Sequence, residues 1–152
     1  MPDKMNLLFV CSGNTCRSAM AEALARKIAA RRGIEDLNVS SAGTNAWDNA
    51  PATDEALLVG IERELDLTGH RARKLTPAIV SEADLIFAMT PGHIEPVKQM
   101  GGRGKVHVID EYASGTVNEG VSDPYGGDLE TYRHTADRLE QELEKLFDRL
   151  TG

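Results

Sequence analysis

Cys11-Ser12-Gly13-Asn14-Thr15-Cys16-Arg17-Ser18 places a potential nucleophile and, six positions later, a guanidinium fork on one short stretch. The spacing alone is weak evidence, and the flanking pattern carries the reading. Before it, Leu7, Leu8, Phe9 and Val10 form an apolar run between Asn6 and small residues, as in a buried parallel strand. After it, Ala19, Ala23, Leu24, Ile28 and Ala29 recur at helical spacing until Gly33. A loop from strand end to helix start turns backbone N–H groups into one cavity and adds the positive end of the helix dipole, so the cavity suits a dianion. Gly13 is expected to supply a positive φ there, and Asn14 to tolerate a similar conformation. Arg17 can grip two oxyanion oxygens at once. The same field favours a thiolate at Cys11, and Ser18 can donate a hydrogen bond toward that sulfur. A nucleotide-binding loop fits poorly, because neither a Gly-Lys-Ser/Thr ending nor a Gly-x-Gly-x-x-Gly set follows any strand.

Such a loop needs a sheet to carry it. Asn38 to Ser41, Leu85 to Met89 and Val106 to Ile109 read as further strands, each stopped by turn residues or by a change of pattern. Helical segments are expected over Asp54 to Leu65, Thr76 to Glu82, Pro91 to Met100 and Asp128 to Leu150. In the last, Tyr132, Leu139, Leu143, Leu146 and Leu150 share one face. Gly101 to Gly104 reads as a helix-to-strand turn. Strands alternating with helices predict an α/β fold, a single domain over residues 1–152 with a parallel sheet and helices on both faces.

Composition narrows the partners. A chain of 152 residues with 41% hydrophobic and 27% charged residues can build one buried core. A net charge of −7 argues against general affinity for nucleic acid or anionic membrane, so an anion must be caught locally. No apolar run approaches a membrane span and the N-terminus lacks a secretory signal, which makes the cytoplasm the expected location. Cys11 and Cys16 are the two cysteines, too few for a disulfide framework. The four histidines, His70, His93, His107 and His134, have no ligand spacing, so no metal and no cofactor are expected.

The loop with its flanks, Val10 to Ser18 and Met20-Ala21-Glu22, resembles the low-molecular-weight protein tyrosine phosphatase family. The resemblance continues through Ser41-Ala42-Gly43-Thr44, Gly69-His70-Arg71-Ala72-Arg73, Asp84-Leu85-Ile86 with Met89, and Asp123-Pro124-Tyr125-Gly126-Gly127, covering nearly the whole chain. It implies four parallel strands, transient phosphorylation of the cysteine and no metal. Ala19 departs from the proline usual after the serine, which would preset the first helical turn.

Thiolate attack needs an acid for the leaving group, on a loop facing the cradle. Asp123 stands among turn residues, and by itself it reads equally as a turn or cap residue; its match to the family's acid loop implies the catalytic acid. The resemblance also implies that Trp47 and Tyr125 wall the pocket, that Ser12, Gly13, Asn14, Thr15, Cys16 and Ser18 line or shape it, and that His70 and Arg73 support the loop. It further implies that Cys16 can pair with Cys11 on oxidation. Thr15 resembles the bacterial protein-arginine phosphatases of the family, where tyrosine-directed members commonly carry a larger aliphatic residue. The expected substrate is therefore phosphoarginine in proteins, released as inorganic phosphate by a monomeric enzyme, with phosphotyrosine the alternative. An arsenate reductase would need a further cysteine pair, and a non-catalytic binding module would be signalled by loss of Cys11, Arg17 or Asp123.

Overall fold

The computed structural model describes residues 4–115 and 120–151. Four parallel strands, β1 (Met5–Cys11), β2 (Leu37–Gly43), β3 (Leu85–Ala88) and β4 (Val106–Val108), lie in the order β2-β1-β3-β4. The central β1 pairs on both edges, so its residues must be apolar on both faces, and this explains the unbroken run from Leu7 to Val10. Leu7, Phe9 and Cys11 project into a cluster with α1 (Arg17–Arg31) and α6 (Leu129–Thr151). Leu8 and Val10 join Ala42, Val80, Ile86 and Val97 on the other face. Phe87 ties the first cluster to the far edge of the sheet, its ring 5.6 Å from Phe9 and 4.9 Å from Tyr112. Each such fully buried side chain contributes about 1.5–3 kcal/mol.

Thr53 caps α2 (Asp54–Glu62), its Oγ1 accepting the Ala56 N–H at 3.3 Å. Thr76 caps α3 (Pro77–Glu82) in the same way, with proline at the first helical position. In α6, Tyr132, Leu139, Leu143 and Leu146 are buried and Leu150 packs at the cluster edge, as the spacing predicts. Among the described residues no helix is long and apolar enough to cross a membrane.

Two elements differ from expectation. The helix expected over Pro91 to Met100 is broken into a tight turn at Pro91–His93, the single turn α4 (Ile94–Val97), and a widened turn over Lys98–Gly102. Pro96 removes one backbone donor from this stretch, and Gly101 at φ 102° ends it. Ile109, read as the end of a strand, instead opens the short helix α5 (Ile109–Ser114), which Gly115 closes at φ 78°.

Candidate active site

The carboxyl end of β1 and the start of α1 hold the loop. Cys11 is buried at its base. The Asn14 N–H donates to Cys11 Sγ at 3.3 Å, and Ser18 Oγ lies 2.9 Å from the same sulfur. Asn14 Nδ2 donates to Ser18 Oγ at 2.8 Å and to Ser41 Oγ at 2.9 Å. Ser18 Oγ thus accepts one hydrogen bond and keeps its own hydrogen free to donate, which it does toward the sulfur whenever Cys11 is a thiolate, since a thiolate can only accept. Ser41 in turn donates to Glu22 Oε1 at 2.8 Å. Arg73 N–H donates to Asn14 Oδ1 at 3.0 Å, and His70 Nε2 lies 2.6 Å from the Asn14 carbonyl oxygen.

The expected positive φ at Gly13 is corrected. The left-handed residue is Asn14, at φ 57°, and Gly13 is absent from the positive-φ positions among the described residues. Asn14 tolerates this conformation because both ends of its amide are held by hydrogen bonds. The loop after β2 brackets the first, with Thr44 N–H donating to the Cys11 carbonyl and Asn45 N–H to that of Ser12, each at 2.9 Å. Gly43 is required at this crossing, since a Cβ there would stand 2.4 Å from the Ser12 carbonyl oxygen. Ala19, in place of proline, is buried within α1, which forms from Arg17 without it.

Above the loop opens a cleft of about 440 Å³. Cys11, Ser12, Gly13, Thr15, Cys16 and Arg17 line it together with Trp47, Asp123 and Tyr125, while Asn14 and Ser18 are fully buried outside the lining. Trp47 is 85% and Tyr125 72% exposed, so both are rim residues rather than core. Asn45, Ala50, Pro51 and Thr53 complete the cleft and escape the sequence reading, as do Glu22, Ser41 and His93 behind it. One sequence signal pointed their way: neighbouring parallel strands must end together, so the segment after β2 had to meet the loop after β1.

Arg17 is 3% exposed. Its Nη1 donates to the Val121 carbonyl at 3.1 Å, its Nη2 lies 3.5 Å from Asp123 Oδ2, and its buried Nε has no partner among the described residues. A buried, unpaired guanidinium N–H beside a helix N-terminus with no side-chain cap hydrogen bond fits an oxyanion. Asp123 Oδ1 accepts the Tyr125 N–H at 3.0 Å, so this carboxylate both forms a turn and faces the cleft. Burial, and next the neighbouring Cys11, push the Cys16 thiol up to about 12, which keeps it protonated.

A family profile described as low molecular weight phosphotyrosine protein phosphatase matches residues 6–152. The chain belongs to that family. This phosphatase is 41% identical over 148 residues to a protein-arginine-phosphatase of Bacillus subtilis, covering 96% of this chain and 97% of the relative. It is 39% identical over 132 residues to a low molecular weight phosphotyrosine protein phosphatase of Schizosaccharomyces pombe, covering 84% of this chain and 85% of that one. Among solved structures, a YwlE arginine phosphatase mutant with a phosphorylated active-site serine superposes with a TM-score of 0.92 at 41% identity. That match covers 97% of the phosphatase described here and 96% of the YwlE chain.

Proposed function

We propose that the protein is a cysteine-dependent protein phosphatase that passes a phosphoryl group from arginine side chains of proteins through a phosphocysteine at Cys11 to water. The observation that carries this is the convergence on one cleft of Cys11, the orphaned Arg17 Nε–H and Asp123. In the first step the Cys11 thiolate attacks phosphorus, the phosphorus–nitrogen bond breaks, and Asp123 gives its proton to the departing guanidinium nitrogen. Arg17 and the loop N–H groups hold the equatorial oxygens in line. In the second, Asp123 takes a proton from water as that water attacks phosphorus. Inorganic phosphate leaves, while Ser18 donates to the released sulfur.

Thr15 and the similarity to protein-arginine phosphatases support phosphoarginine as the substrate. Phosphotyrosine is the second reading, favoured by the exposed aromatic rim of Trp47 and Tyr125 and by the family description. The same reading makes the protein a cytoplasmic monomer that binds neither nucleic acid nor membrane, with Cys16 able to pair with Cys11 under oxidation. Cys11→Ser is the test: turnover of phosphoarginine and phosphotyrosine peptides should vanish while orthovanadate still binds, because the cradle of N–H groups remains. Residual turnover near the wild-type rate would exclude the covalent route.

A further inference from the structure

Ser12 and His93 meet beneath the cleft, in a contact that the chemistry above leaves unused. His93 follows β3 and is 6% exposed. Its Nδ1 faces the Thr90 backbone N–H at 3.3 Å and the Thr90 hydroxyl at 3.0 Å, and its Nε2 lies 3.0 Å from Ser12 Oγ. A backbone N–H can only donate, so Nδ1 must be the accepting nitrogen of a neutral ring, and Nε2 carries the hydrogen. Ser12 Oγ is therefore the acceptor in its contact with His93. Among the described residues no other partner for the Ser12 hydroxyl is found, and its backbone is fixed by the Asn45 N–H to Ser12 carbonyl bond at 2.9 Å.

We propose that His93 is a positioning residue for this cleft: it holds the Ser12 hydroxyl so that its proton faces the bound phosphoryl group, adding one side-chain donor to the cradle. The inference rests on the reading of the cleft as a phosphoryl site. Burial, then the charge of Arg17, hold His93 down to about 4, which keeps the ring neutral and its tautomer constant through the physiological range. The device links the end of β3 to the loop at the end of β1, so donor geometry is set by an element outside the loop.

Two substitutions separate its roles. Asn at 93 puts a carbonyl where Nδ1 stands and keeps the Thr90 contact, but cannot reach Ser12. Gln places its amide N–H near the Nε2 position and restores the donor to Ser12, at the expense of the Thr90 contact. With p-nitrophenyl phosphate as substrate and orthophosphate as inhibitor, Ser12→Ala and His93→Asn should each lower kcat/KM and weaken phosphate inhibition about three- to tenfold. The double variant should be no worse than either single one. His93→Gln should return to within about twofold of wild type even where its Tm is lower. Imidazole 15N signals should report the Nε2–H tautomer. Additive losses, losses that follow Tm rather than the Ser12 contact, or an Nδ1–H tautomer would each overturn the proposal. A wild-type protein that hydrolyses no phosphoryl compound would instead remove the reading of the cleft, and this inference with it, whatever the tautomer.

Discussion

Arg17 binds in two directions. One nitrogen of its fork holds the Val121 carbonyl, and in the proposed mechanism the buried Nε–H, without a partner among the described residues, meets the oxyanion. A lysine supplies one point charge and cannot serve both, so Arg17→Lys should lower kcat/KM about a hundredfold or more, measured with saturating reductant present. Under the proposed function Thr15 bears on the choice of substrate instead. Replacing it with Ile sets an aliphatic surface against guanidinium donors, which loses about 1–3 kcal/mol, or roughly 5- to 150-fold in rate, and leaves a phenyl ring unharmed. The ratio of kcat/KM for phosphoarginine over phosphotyrosine peptides should fall by that factor. An unchanged ratio would make Thr15 a spacer. At this scale the sequence was most legible where one residue type has few uses: a cysteine, glycine and arginine between a strand and a helix mark a cradle. Residue type alone makes both Gly13 and Asn14 candidates for the left-handed region, and the choice of Asn14 is hidden from sequence because it depends on the hydrogen bonds that hold its amide there.

Between elements, the determining contact is the crossing of the segment after β2 over the loop after β1. Gly43→Ala would drive a Cβ to 2.4 Å from the Ser12 carbonyl oxygen and 3.0 Å from Asn14 N. We expect a destabilisation of about 1–3 kcal/mol by urea titration together with a fall in kcat, since the loop must shift to relieve the clash. Gly69→Ala, which meets nothing within 4 Å, is the control and should change neither. The four strands were legible as short apolar runs bounded by turn residues or a change of pattern, and α6 by its helical period. The segment from Pro91 was not, since helical composition concealed Pro96 and the breaks around it. Glu22 and Ser41 were hidden for another reason. Their link through Asn14 to Ser18 and Cys11 spans α1, β2 and the loop, and depends on strand register, which no local pattern in the sequence encodes.

Taken as a whole, the molecule buries a titratable group that should shape its acid stability. His93 is held down to about 4 in the fold, chiefly by burial, whereas an unfolded chain takes up that proton near pH 6.5. Between those values the unfolded state binds more protons, so stability falls as pH drops through this window and is complete above it. Burial lowers His107 in the same sense. Urea midpoints should fall on going from pH 7 to pH 4.5 by an amount worth about 2 kcal/mol for His93. His93→Asn should flatten the slope, and an identical slope would show that other groups govern it. A different property follows from the position of Trp47. It is the single tryptophan of the chain, it stands 85% exposed, and it lines the rim of the cleft. Indole emission from this protein thus arises at one place, the entrance, and the core contributes none of it. Ligand arrival at the cleft and departure from it should therefore be followed by stopped-flow fluorescence on the unlabelled native chain.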